Sequence, residues 1–168
     1  MTSNTHTAAM GTLLGRRLRR AADQFRPPPA TPPRLCDPDP MEDPGAEPFC
    51  YLTTTGRVSG RPHTIEIWFA LRGRTLYALS GGGSRSDWVR NLRERPEVGV
   101  RLGRRDAPEL PGRARLVEPG SDEDELARRL VVAKYQAGYG GDLSGWRRSA
   151  VPVAVDLSPG PDGRDPIP

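Results

Sequence analysis

LTTTGRVSGRPHTIEIWF (residues 52–69), followed by LYALSGGGSRSDWVRNLRERPEVGVRL (76–102), is the stretch on which the fold turns. Within it, Ile65, Ile67, Phe69 and Leu71 alternate with Thr64, Glu66, Trp68 and Ala70. A period of two is that of a strand with one face in a core, so the pattern predicts a strand over residues 63–71. Arg72-Gly73-Arg74 makes a short hairpin turn, and residues 75–80 return as the next strand. Upstream, FCYLTTT (49–55) is rich in aromatic and β-branched residues and reads as a strand, joined to 63–71 by the turn Gly56–Pro62. Downstream, Gly81-Gly82-Gly83 breaks the chain. Ser86 is then expected to cap a helix from Asp87 to about Arg95, with Asp87 at its positive end and Pro96 as its stop.

Beyond that stretch, residues 97–102 and 113–118 read as two strands around a Gly103–Gly112 loop. Ser121 with the four acids that follow is a strong helix start, with Asp124 at the reciprocal capping position. That helix is expected to reach about Gln136 and to end at Gly138, before a Gly-rich loop over 139–149. Val151, Val153, Val155 and Leu157 alternate in a final strand. The sum is about six strands with two or three helices, a mainly β chain with flanking helices whose order suggests an antiparallel barrel. Residues 49–158 form the one expected domain. Residues 1–48, with nine prolines between 27 and 48, are read as a disordered basic tail and linker, and 159–168 as a disordered end.

Composition narrows the function classes. Hydrophobic residues make up 35% of the 168, enough for one compact core but not two. The net charge of +4 is unevenly spread: residues 57–105 carry eleven Arg against Glu66, Asp87, Glu94 and Glu97, a field that attracts an anionic ligand. The two histidines, His6 and His63, cannot assemble a catalytic triad or a metal cluster, so no metal is expected. There is no Walker loop and no strand–G-x-G-x-x-G–helix unit. Cys36 and Cys50 read as reduced thiols of a cytoplasmic protein. No apolar run approaches the ~20 residues of a membrane span. Residues 12–26 could form a basic amphipathic helix, for which a solvated tail is expected over contact with a membrane surface. Nucleic acid is not an expected partner, because the basic stripe lacks interleaved exposed aromatics. A chain this poor in reactive side chains is a binding module or takes its chemistry from a cofactor.

Two segments could hold one. In TTTGRVSGRP (53–62), Gly56 and Gly60 let backbone N–H groups converge, while Thr55, Arg57, Ser59 and Arg61 add the donors a phosphate needs. An ordinary Gly-rich hairpin with exposed arginines has the same residues, and both readings stand. In SGGGSRSDWVRNL (80–92), the glycines leave room for a planar ring and the helix start favours negative charge. Trp88 is either a core anchor or a wall of the site, and Asn91 could cap or bind.

The ordered series TTTGR-x-SG-x-P, a W-F strand, S-x-GG and W-x-x-NL-x-x-x-P resembles the deazaflavin-dependent nitroreductase family over residues 49–157. These are split β-barrel proteins, FMN-binding-like and related to pyridoxamine-phosphate oxidases. The resemblance implies an oxidoreductase that passes a hydride from reduced 8-hydroxy-5-deazaflavin (coenzyme F-420) to a small electrophile such as a quinone, nitro compound or enone. FMN is the alternative cofactor, and a non-catalytic cofactor- or haem-binding barrel is the alternative role. It implies Arg57, Ser59 and Gly60 at the cofactor's phosphate and acidic tail, and Ser80, Gly81 and Gly82 along its ring, with Trp88 and Asn91 in support. It also implies Tyr135 and Tyr139 as proton donors, and a homodimer.

Overall fold

The computed structural model describes residues 43–159. The basic stretch 12–26, residues 27–42 of the proline-rich segment, His6, Cys36 and residues 160–168 lie outside the described residues.

Seven strands form one sheet: β1 Cys50–Thr55, β2 Pro62–Ile67, β3 Phe69–Arg72, β4 Thr75–Ser80, β5 Glu97–Leu102, β6 Leu110–Leu116 and β7 Val151–Leu157. The helices are α1 Asp87–Glu94, α2 Asp122–Gln136 and α3 Ser144–Ser149. Strand order is β2-β1-β5-β6-β7-β4-β3, every pairing antiparallel. β2 and β3 are separated only by Trp68 yet occupy opposite edges of the sheet. Two edges one residue apart can exist only if the sheet curls until its ends meet, which makes a split barrel.

The stretch 63–71 is therefore two strands rather than one. Its facing was read correctly: Ile65, Ile67, Phe69 and Leu71 all pack on the barrel interior, while Ala70 joins the outer cluster against α2. The alternation survives the switch of edges because Trp68 keeps the period of two. β6 starts at Leu110, not 113, and the expected loop 139–149 contains α3.

The interior is filled by Leu52, Leu76, Val100, Val153, Val155 and Phe69, and closed at one end by Val89 and Leu92 of α1. Burying each such side chain is worth about 1.5–3 kcal/mol. Outside the sheet, Tyr77, Leu79 and Ala154 meet Ala127 and Val131 of α2. Ser121 Oγ accepts from Asp124 N at 3.1 Å, the cap that sets the start of α2, while the Asp124 carboxylate accepts from Gly120 N at 2.8 Å instead of completing the reciprocal box. Ser86 stands at the N-cap of α1 without a side-chain cap bond; its hydroxyl is 2.9 Å from Ser80 Oγ instead. At the other end of α2 the cap is Ala137, and Gly138 does not take a left-handed conformation.

The segment before β1 is fastened to α2. Lys134 Nζ donates to Glu47 O at 2.6 Å and lies 3.8 Å over the Phe69 ring. Burial pulls the Lys134 ammonium down to about 8, because desolvation disfavours its charged form. Among the described residues no helix is long and apolar enough to cross a membrane.

Candidate functional site

β1 ends in a turn that the sequence shapes tightly. Gly56 N donates to Arg61 O and Gly60 N to Gly56 O, each at 2.8 Å, closing residues 56–61 into a compact loop. Gly60 has φ +67°, a left-handed conformation that a side chain would strain. A Cβ on Gly56 would fall 2.4 Å from Ser59 Oγ and 2.8 Å from His63 Nε2. Ser59 Oγ accepts from Arg61 N at 3.3 Å and lies the same distance from His63 Nε2.

Facing this loop is α1, through Asp87, Trp88 and Asn91. Asn91 is 5% exposed. Its Oδ1 accepts from Arg57 N at 3.1 Å and from Arg57 Nη1 at 3.2 Å, and its Nδ2 donates to Thr54 Oγ1 at 3.3 Å. One amide thus ties strand, loop and helix together and aims the guanidinium. Arg57 Nη1 also bonds Asp87 Oδ1 at 3.0 Å. Between loop and helix lies a cleft of about 440 Å³ whose walls include Arg57, Ser59, His63, Asp87, Trp88 and Asn91. A guanidinium at the foot of a glycine turn, beside a serine hydroxyl, suits a phosphate or carboxylate group.

The structure sorts the expected site residues into two groups. Arg57, Ser59, Trp88 and Asn91 line the cleft; Gly60 and Arg61 belong to the loop that builds it, and Thr55 is the last residue of β1 before that loop. Ser80, Gly81 and Gly82 lie one turn further along. Ser80, 2% exposed, holds the segment by donating to Gly83 O at 3.1 Å and by its contact with Ser86, a cleft residue. A Cβ on Gly81 would fall 3.0 Å from Trp146 Nε1, so the indole of α3 lies against that glycine.

Trp146 opens onto the second group, an aromatic cluster around Trp68. Tyr135 stacks on Trp68 with ring centres 4.4 Å apart and planes 7° from parallel. Tyr139 and Trp146 each meet it edge-on at 5.8 Å. The Tyr135 hydroxyl accepts from Phe69 N at 3.0 Å and donates its single proton between Pro48 O at 2.9 Å and Phe69 O at 3.0 Å. Burial raises its pKa above the ordinary phenol value. Neither tyrosine lines the cleft. Tyr135→Phe should therefore lower the melting temperature by a few degrees, since the Phe69 N–H loses its acceptor at a cost of about 1–3 kcal/mol. A melting temperature equal to wild type would show that the hydroxyl does not fasten β3.

Thr54, His63 and Asp87 escaped the sequence reading as cleft residues, and Trp68 and Trp146 as the centre of the aromatic cluster. Asp87 was legible only as a helix-dipole partner. Trp68 followed its strand period outward, and nothing in its neighbours marks a cluster formed with Tyr135, Tyr139 and Trp146, far along the chain.

Residues 43–158 match the family model described as F420H(2)-dependent quinone reductase. The chain is 36% identical over 63 residues to the F420H(2)-dependent quinone reductase Rv1261c of Mycobacterium tuberculosis; the match spans 36% of this chain and only 42% of that protein. Among solved structures, an F420 reductase superposes with TM-score 0.51 at 21% identity, over 72% of this chain and 95% of that one. HutZ, the haem storage protein of Vibrio cholerae, superposes with TM-score 0.51 at 18% identity, over 68% and 84%. Likenesses at such identities show the split-barrel fold alone. The family match covers the whole barrel together with both the cleft and the aromatic cluster, and the chain belongs to the F420H(2)-dependent quinone reductase family.

Proposed function

We propose that the protein is a deazaflavin-dependent oxidoreductase that binds coenzyme F-420 with its phosphate at Arg57 and Ser59 and reduces a small quinone. The observation that carries this reading is the Arg57 guanidinium, held by buried Asn91 at the rim of a cleft with space for a phosphate-bearing ligand. The residues fit the group: one aimed cation, one serine hydroxyl at the cleft wall beside Arg61 N and His63 Nε2, and a glycine loop with no room for extra side-chain atoms at Gly56. The Ser80–Gly82 segment, with the Trp146 indole against Gly81 on one side, is then the stretch along which the ring would lie.

Bound there, the reduced deazaflavin supplies the hydride. The chain's part is to fix the phosphate end, to hold the ring against the Ser80–Gly82 segment and to flank the acceptor with aromatic side chains. The second proton of quinone reduction needs a donor. Tyr135 and Tyr139, which both pack on Trp68, are the candidates for that proton. A homodimer and a cytoplasmic location belong to the same proposal, and Val58, 91% exposed at the tip of the loop, is apolar surface that a second copy would cover.

FMN shares the phosphate but not the longer acidic tail, so the two cofactors separate in one experiment. Fluorescence titration at low and at raised salt should give tighter binding of oxidised coenzyme F-420, with affinity that falls as salt screens the basic face. Tighter FMN binding under both conditions would reverse the assignment.

A further inference from the structure

Asp87 brings a carboxylate to a cleft whose other charged wall residue is Arg57. Its side chain is 81% exposed, and it takes one of the two bonds made by Arg57 Nη1; Asn91 takes the other. The two acceptors differ in kind. Asn91 is buried and bound to Thr54 as well, so it belongs to the scaffold, whereas Asp87 stands at the solvent edge and can be displaced. Arg57 itself is 30% exposed, and Asp87 is the one anion it meets among the described residues.

An incoming phosphate therefore faces a choice set by Coulomb's law. It takes the guanidinium from Asp87, exchanging one charge-assisted bond for another of similar strength, or it settles beside the carboxylate and meets like-charge repulsion. In both cases Asp87 takes back part of the affinity that Arg57 supplies. Two uncommitted cations lie further out, Arg61 on the loop and Arg95 at the C-terminal end of α1. Arg95 Nη1 reaches to 3.8 Å from where a Cβ on Gly60 would be, and neither it nor the Arg61 side chain makes an ion pair among the described residues.

We infer that Asp87 is a built-in counter-ion that competes with the ligand's phosphate for Arg57, so that the cleft retains only ligands with further acidic groups for Arg61 and Arg95 or a large ring to offset the exchange. Asp87 thereby sets an affinity threshold: it costs every phosphate ligand alike, and small phosphates with no further contacts fall below it. The inference rests on the reading of the cleft as the cofactor's phosphate site.

Titration of wild type, Asp87→Asn, Asp87→Glu and Arg57→Ala with oxidised coenzyme F-420 and with FMN, at low salt and followed by fluorescence, tests it. Asp87→Asn should tighten both ligands by about 5- to 30-fold, the span expected from freeing one exposed ion pair and removing one nearby like charge. Asp87→Glu keeps the charge and should stay near wild type. Unchanged or weaker binding by Asp87→Asn overturns the inference, because Asp87 would then be neutral or would help to aim Arg57. Arg57→Ala tells the two failures apart. If it loses binding while Asp87→Asn gains none, the counter-ion role alone falls; if Arg57→Ala binds like wild type, the phosphate site falls with it.

Discussion

Arg57→Ala should weaken binding of coenzyme F-420 by roughly 10- to 150-fold, the equivalent of about 1.5–3 kcal/mol for a charge-assisted bond. The loss should persist at high salt, since a bond made at contact distance is screened far less than a general field. Arg104→Ala is the matched control. Arg104 belongs to the same basic stretch, but it lies in the loop after β5, paired with Asp106 at 2.7 Å, and both partners are well exposed. Its removal should cost little, and salt should erase that cost. The cofactor-free Arg57→Ala protein should melt close to wild type, because its backbone N–H still reaches Asn91 Oδ1 and the lost ion pair with Asp87 is a surface one. Equal losses from the two substitutions would reduce the cleft to one more part of a positive surface. Unfolding of Arg57→Ala would remove the phosphate assignment altogether.

That experiment rests on a residue the sequence already singled out, and the reason is physical. Arginine between glycines announces its chemistry by type and position, as does the period-two alternation of β2 to β4. The Trp68 switch was hidden because a strand that leaves one edge and joins the other without losing its period looks continuous. β6 escaped at its start because Leu110, Gly112 and Ala114 face inward, and two of those three give no apolar signal. The hydroxyl of Ser86 was assigned to a helix cap, since nothing local reveals that Ser80 is brought beside it. Asn91 could not be placed for a deeper reason. An amide that caps, binds or braces needs the same atoms, and only the fold brings it to Thr54 and Arg57.

The structure makes that bracing role testable, and it implies the largest stability effect in the site. Asn91→Ala removes the acceptor of the partly buried Arg57 N–H and the donor to the buried Thr54 hydroxyl, which keeps only a long bond to His63 O at 3.5 Å, and opens a void at the base of the loop. Each stranded group costs about 1–3 kcal/mol, so the total should approach 2–4 kcal/mol and lower the melting temperature by about 6–15 °C. Cofactor affinity should fall with it, although Asn91 need not touch the ligand, because the loop 56–61 loses its anchor and Arg57 its aim. Asn91→Asp separates the two effects. Its carboxylate keeps both acceptor contacts to Arg57, so much of the fastening survives. It also brings a second anion to the guanidinium, where it competes with phosphate as Asp87 does. The expected result is a smaller loss of melting temperature than in Asn91→Ala, joined to weakened coenzyme F-420 binding. An Asn91→Ala protein that melts like wild type would show that the loop stands without the amide, and the geometry of the phosphate site would then need another source.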